Sequence, residues 1–265
     1  MSKVLVEMQD VSLGYTEVPV LTGVNLKIRR GELVVIAGSS GCGKSTMLKG
    51  TIGLLPPSAG RVKLFGTDLE GLSEDRLTEL RSRIGLLFQG GALLNSMTVA
   101  ANVALPIEHH ARLPAGAVEK LVRMKLALVG LEGHGHKLPS ELSGGMRKRV
   151  ALARAMALDP DLLLCDEPSA GLDPVTAADL DRLLLGLREA MQMSMMVVTH
   201  ELSSIETIAD RVVMVADGVV AFDGSLAEAK KSSLPSVRDF FARRATAPES
   251  AGRSMLERFQ GEVKS

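Results

Sequence analysis

The chain has 265 residues, enough for one large or two small domains around a buried core. Its 31 lysines and arginines equal its 31 aspartates and glutamates, and it holds no tryptophan and 1 tyrosine, so both the basic excess and the stacking surface of a nucleic-acid binder are missing. The cysteines, Cys42 and Cys165, lie in glycine-rich and apolar contexts rather than in a disulfide framework, which points to a reducing, cytosolic compartment.

The opening segment MSKVLVEMQD carries an acidic residue within its first apolar run and has no signal-peptide layout. No stretch reaches the roughly 18 uninterrupted apolar residues of a membrane span, so membrane contact is expected through a partner. VLVEMQDVSLGY, GVNLKIRRGE and LVVIAG read as strands by their β-branched content and spacing. SSGCGKS follows as a turn, and TMLKGTIGLL has helical spacing. SAGRVKLFGTDL reads as a hairpin and GLSEDRLTELRSR as a charged amphipathic helix. From about Gly90 to Ser140 the pattern becomes helices broken by Pro106, Pro114 and Pro139, a candidate helical subdomain inserted into the main fold.

Farther on, MRKRVALARAMAL reads as a helix stopped by Pro160. DLLLCDEP and MSMMVVTH contain the short apolar runs of parallel strands buried on both faces, with TAADLDRLLLGLREAM as the crossover helix between them. RVVMVADGVVAF has Asp217-Gly218 between apolar runs, a two-residue hairpin signal. From about Ala245 the chain is small, polar and charged, the composition of a loosely ordered tail. Alternating strands and helices make the fold class α/β.

Gly38, Gly43, Lys44 and Ser45 fit the phosphate-loop spacing of glycine, four residues, glycine, lysine and a hydroxyl residue. The glycines let backbone N–H groups turn in around phosphates, and the following helix adds its positive end. Lys44 is placed to reach the β- and γ-phosphates, and the Ser45 hydroxyl to bind Mg²⁺. Two further strands run into Asp166-Glu167 and into His200, and in open parallel sheets ligands bind outside the carboxyl ends of strands. One crevice is therefore expected to gather the loop, both carboxylates and the histidine. Asp166 suits Mg²⁺ binding, Glu167 suits polarising a water, and His200 suits contact with a γ-phosphate. A second glycine-bearing helix start, Ser143-Gly144-Gly145, also has the chemistry of an anion site.

These residues resemble the ATP-binding cassette (ABC) ATPases. GSSGCGKST, which is Gly38, Ser39, Ser40, Gly41, Cys42, Gly43, Lys44, Ser45 and Thr46, looks like their Walker A motif. LLLCDEP looks like Walker B with the catalytic glutamate, and LSGGM like the signature motif. SAGLD is similar to the D-loop and places Asp173; Gln89 in LLFQGG matches the Q-loop, His200 the switch histidine and Tyr15 the aromatic that stacks on adenine. The motifs stand in the family's order over roughly residues 4 to 240. The resemblance implies a P-loop NTPase fold of the ABC type, with an antiparallel β subdomain and a helical subdomain at about 90–150. It gives an ATPase domain at 1–244 and a tail at 245–265. It also implies ATP and Mg²⁺ as ligands, with Gln89 joining Ser45 and Asp166 around the metal. Ser143, Gly144 and Gly145 then cap the ATP of a second copy, so that two chains close head to tail.

The chain shows neither the long coiled coils of repair-type cassettes nor the paired cassettes of translation factors, and with its balanced charge this makes a transporter subunit the stronger reading of the resemblance. FQGGALLNSMTVAANVALPIEHH resembles the Q-loop region of cassettes serving MCE-type lipid transporters, the Mla type being nearest; it departs at Leu94, where phenylalanine is common. That branch implies an ATPase at the cytoplasmic face of the bacterial inner membrane, held there by a multi-span permease. An MCE-domain protein and a small accessory subunit are the further partners, and phospholipid moving between inner and outer membranes is the cargo. An importer ATPase for small polar solutes and a regulatory cassette of the cell-division type remain open beside it. SMLERFQ in the tail spans about two amphipathic helical turns and is a candidate docking segment. The histidines of GHGHK, His134 and His136, lack carboxylate or thiol companions and read as a surface loop.

Overall fold

A strand covered on both faces must be apolar at every position, and its odd and even residues must serve different cores. The computed structural model, which describes residues 3–242, shows this arrangement. In order the elements are β1 (Val4–Leu13), β2 (Leu21–Arg29), β3 (Leu33–Ala37), α1 (Lys44–Thr51), β4 (Ala59–Leu64), β5 (Thr67–Asp68), α2 (Glu74–Arg81), β6 (Ile84–Leu87), α3 (Val99–His110) and α4 (Ala115–Leu128). Then follow α5 (Gly144–Ala155), β7 (Leu162–Asp166), α6 (Pro174–Met191), β8 (Ser194–Val198), α7 (Leu202–Ile208), β9 (Arg211–Ala216), β10 (Val219–Ser225), α8 (Leu226–Lys230) and α9 (Pro235–Phe241).

The central sheet runs β10-β9-β3-β8-β7-β6, parallel except for the edge strand β10. A second, antiparallel sheet runs β2-β1-β4-β5. Val34, Ile36, Leu162, Leu164, Met196, Val198, Val213 and Val215 face the antiparallel sheet and α1. Their neighbours Leu33, Val35, Leu163, Cys165, Met195, Val197, Val212 and Met214 face the other core, which is filled from the helices. One central sheet thus separates two cores, residue by residue.

The strands and the crossover helix agree with the sequence pattern, as does the β9-β10 turn, where Asp217 (φ 50°) and Gly218 (φ 75°) are both left-handed. Pro106 is a correction. It lies inside α3 and does not break it, although it removes one helical N–H. Val99, Val103, Ala104 and Ile107 bury that helix face in the core, and packing outweighs the lost bond. Pro114 does precede a helix start, and Pro139 opens a short 3₁₀ turn. The four-residue β6 and the short helices α7, α8 and α9 were not expected, being too brief for periodicity to register. The proposed docking segment SMLERFQ lies outside the described residues.

Between β6 and α3 the chain is pinned by one buried amide. Asn102 accepts from the Leu94 N–H at 2.8 Å and donates to the carbonyls of Leu94 (3.0 Å) and Thr98 (3.1 Å). Asn102→Ala is expected to cost about 1–3 kcal/mol, because it strands a main-chain donor. A lowered urea midpoint at unchanged slope is the expected outcome.

Candidate functional site

The loop between β3 and α1 depends on glycine. At Gly38 (φ 150°) a Cβ would stand 2.3 Å from the Val215 carbonyl oxygen and 2.7 Å from Cys42 Sγ. Gly43 (φ 106°) turns the chain into α1, whose N-terminus has neither a side-chain cap nor an acidic residue in its first turn. The helix start is therefore open to an outside anion. Lys44 is buried, and its ammonium donates to the carbonyls of Gly38 (3.0 Å) and Ser39 (2.8 Å), so the loop's own oxygens hold the charge that a phosphate would take over.

A cavity of about 250 Å³ opens here. Ser40, Gly41, Gly43, Lys44, Ser45 and Thr46 form one wall, and Gln89, Glu167 and His200 the other. Parallel pairing of β7 with β8 sets the second wall, because the Glu167 N–H donates to Val198 O at 2.9 Å and brings the two strand ends level. Glu167 adopts a left-handed φ of 48°, which for a side chain of this kind costs about 1–2 kcal/mol. Its carboxylate is buried. Oε1 accepts from His200 Nδ1 at 2.8 Å, whereas Oε2 is buried with no hydrogen-bond partner. His200 keeps the rest of its ring accessible.

Ser45 Oγ donates to Asp166 Oδ1 at 3.0 Å. Neighbouring ligands of an octahedral cation with ligand distances of 2.0–2.1 Å lie about 3 Å apart, so this hydroxyl and carboxylate have the spacing and the hard-oxygen character that Mg²⁺ requires. Burial pushes the Asp166 carboxyl above its ordinary range, opposed by the Ser45 hydrogen bond. Behind the two carboxylates lies Lys148 of α5, a buried ammonium that donates to the main-chain oxygens of Gln89 and Glu167.

Other expected residues stand apart from the cavity. Tyr15 follows β1 on an exposed loop, tied by its hydroxyl to Lys49 Nζ at 3.0 Å. Ser143 caps α5 by accepting from the Met146 N–H at 3.2 Å, and neither it nor Gly144 or Gly145 lines the cavity. Gly145 instead packs beside Thr176 at the start of α6. Asp173 caps α6, accepting from the Val175 and Thr176 N–H groups at 3.1 and 3.0 Å and from the Thr176 hydroxyl, which holds its carboxyl below the usual range. Among the described residues no group of histidine, cysteine and acidic side chains forms a metal cluster, and His134 sits 3.1 Å from its neighbour Glu132's carbonyl oxygen. Both cysteines are free, and burial pushes the Cys165 thiol to about 12. Lys148 and Lys49 were not singled out in the sequence; LSGGM is followed by several basic residues, and nothing in that run distinguishes the one that turns inward.

Comparison with known proteins gives one consistent result. A family model described as "ABC transporter" matches residues 21–170. The intermembrane phospholipid transport system ATP-binding protein MlaF of Escherichia coli K12 is 40% identical over 236 residues, covering 89% of this chain and 88% of that protein. The probable ribonucleotide transport ATP-binding protein mkl of Mycobacterium tuberculosis H37Rv is 39% identical over 245 residues, covering 92% of this chain and 68% of that one. Among solved structures, the dimeric post-hydrolysis state of the cassette MJ0796 bound to ADP and Pi superposes with a TM-score of 0.77 at 33% identity, covering 84% of this chain and 99% of that one. CbiO1 of Clostridium perfringens gives 0.79 at 28% identity, covering 91% and 99%.

Cys42 supplies a test of the loop geometry. Its thiol is partly buried beneath Gly38, and burial raises its pKa above the ordinary value. Alkylation by iodoacetamide is expected to be slow at pH 7.5 and to rise about tenfold per pH unit as the thiolate forms. Bound nucleotide is expected to slow it further, read by mass spectrometry of the modified peptide.

Proposed function

The chain belongs to the ABC transporter family of ATP-binding cassettes, and from that membership we propose that it is the ATP-hydrolysing subunit of an intermembrane phospholipid transport system of the Mla type. The observation that carries the hydrolytic part is the Glu167 carboxylate, with one oxygen held by His200 and the other without a partner, in the wall facing the phosphate loop. A carboxylate so placed accepts a hydrogen bond from a water and aims it at a phosphorus atom. Similarity to MlaF across most of the chain supports the lipid part, together with the GGALL segment that follows Gln89.

In this reading Lys44 leaves its two carbonyls for the β- and γ-phosphates of ATP, and the loop from Gly38 to Thr46 surrounds them with N–H groups. Ser45, Asp166 and Gln89 would hold Mg²⁺, which would supply positive charge against the phosphates. His200 keeps Glu167 oriented and contacts the γ-phosphate with its exposed edge. Tyr15 stacks on adenine. Ser143, Gly144 and Gly145 complete the site of a second copy, with Asp173 at the same junction, so ATP joins two chains and hydrolysis releases them. The phosphoryl transfer itself asks little beyond position and charge, which these residues supply.

Residues 1–244 act as the cassette, with about 90–150 as its helical subdomain and 245–265 as a tail and candidate docking segment. No helix among the described residues is long and apolar enough to cross a membrane. We place the protein at the cytoplasmic face of the bacterial inner membrane, bound to a permease. An MCE-domain protein and a small accessory subunit complete the assembly.

Glu167→Gln is expected to keep ATP affinity, to reduce hydrolysis about 10²- to 10⁴-fold and to elute as a dimer with MgATP in size-exclusion chromatography. Adding Ser143→Arg to that variant is expected to restore the monomer, and a dimer that persists would overturn the assignment of the signature. The cargo is tested in vesicles holding the chain with its permease. ATP-dependent transfer of a fluorescent phospholipid is the expected result. The relative named for ribonucleotide transport makes nucleotide uptake the competing one, and uptake without lipid transfer would replace the lipid reading.

A further inference from the structure

Burying an ammonium costs several kcal/mol unless its N–H groups find partners. Lys148 is buried to 8% exposure, and among the described residues it forms no ion pair. Its partners are two main-chain oxygens on different strands' ends: that of Gln89, beyond β6, and that of Glu167, beyond β7, at 3.4 Å. Gln89 and Glu167 are also two of the three side chains forming the cavity wall opposite the phosphate loop. An apolar side chain of the same length would fill the space without the desolvation cost, so the charge is retained for what it binds.

We propose that Lys148 is a positioning residue that ties the backbone at Gln89 to the backbone at Glu167 and so keeps the spacing of those two side chains across the nucleotide. The proposal rests on the ATPase reading of the site. Three neighbouring contacts make α5 a rigid mount for this tie. Ala155 O lies so near Gly85 that a Cβ there would stand 2.4 Å away, which fixes the helix on β6. Ala151 lies against Gly91. Arg154 donates to the carbonyls of Gly91 and Ala92 at 2.8 Å each, and so holds Ala92 in its left-handed φ of 49°. Positions 148, 151 and 155 share one helix face, and that face meets the chain from Gly85 to Ala92.

The test separates the tie from the chemistry. The Gly91 amide donates to Phe88 O at 2.8 Å, so its hydrogen exchange reports on the loop without any nucleotide. In Lys148→Met, exchange at Gly91 is expected to rise at least about tenfold, and kcat for ATP to fall about 10- to 100-fold with KM within about threefold. Lys148→Arg, which keeps a charged multi-donor group, is expected to restore kcat to within about threefold of the wild type. Should Lys148→Met fail to fold, Lys148→Gln, with a neutral donor, carries the same comparison. Unchanged exchange in the folded variant overturns the tie. Changed exchange with unchanged kcat overturns the positioning role, as does an equal loss in the Met and Arg variants accompanied by an equal fall in unfolding midpoint. A wild-type protein that binds but does not hydrolyse ATP defeats the ATPase reading instead, and the exchange result still decides the tie.

Discussion

The contact between Glu167 and His200 is the constraint around which the site is arranged. A buried carboxylate with a single partner is costly, and one with a left-handed backbone costs more. Both costs are borne by the surrounding fold. The parallel register of β7 and β8 puts the two residues level, the Glu167 N–H is satisfied by Val198, and Lys148 supplies positive charge from behind. The outcome is a carboxylate oxygen left without a partner in a pre-formed place. Such unsatisfied groups are rare in folded proteins, and this one lies in the wall facing the phosphate loop.

The two glycine-bearing helix starts differ in how they are satisfied. At α1 the helix end has no side-chain cap, and the loop lysine is held by carbonyls that a phosphate can replace. At α5 the serine already caps its own helix, and the glycines lie against the start of α6. The first is left open within its own chain. The second offers a smooth, glycine-lined surface whose proposed ligand arrives already held by another chain. Separation of the signature from the cavity within one chain follows from this division, and it accords with the dimeric form of the MJ0796 cassette.

Much of this was legible in the residues. Lys44, Ser45, Asp166 and His200 announce themselves because each must sit at a strand end or a glycine turn, and strand ends are marked by apolar runs that stop abruptly. Their convergence was predictable from the rule that ligands bind beyond the carboxyl ends of parallel strands. Lys148 was not legible. Its neighbours Arg147 and Arg149 are also basic, and only the helix phase, fixed by Ala151 and Ala155 against the edge strand, decides which cation turns inward. β6 escaped for a related reason: four residues with a glycine carry no alternation, and the strand exists because β7 offers it an edge. Pro106 misled because a local rule about helices yields when one face of the helix is already buried.

The alternation of the central strands between two cores has a consequence for heredity. A point change at Leu163 or Leu164 loosens one core and leaves the other intact, so single substitutions there are graded in effect. An inserted or deleted residue in β7 is not graded. It exchanges the two sets of side chains between cores of different shape and, at the same stroke, rotates Asp166 and Glu167 to opposite sides of the strand end. The strand therefore tolerates substitution far better than a change of length, and the height of the carboxylates above the sheet is inherited as a count of residues.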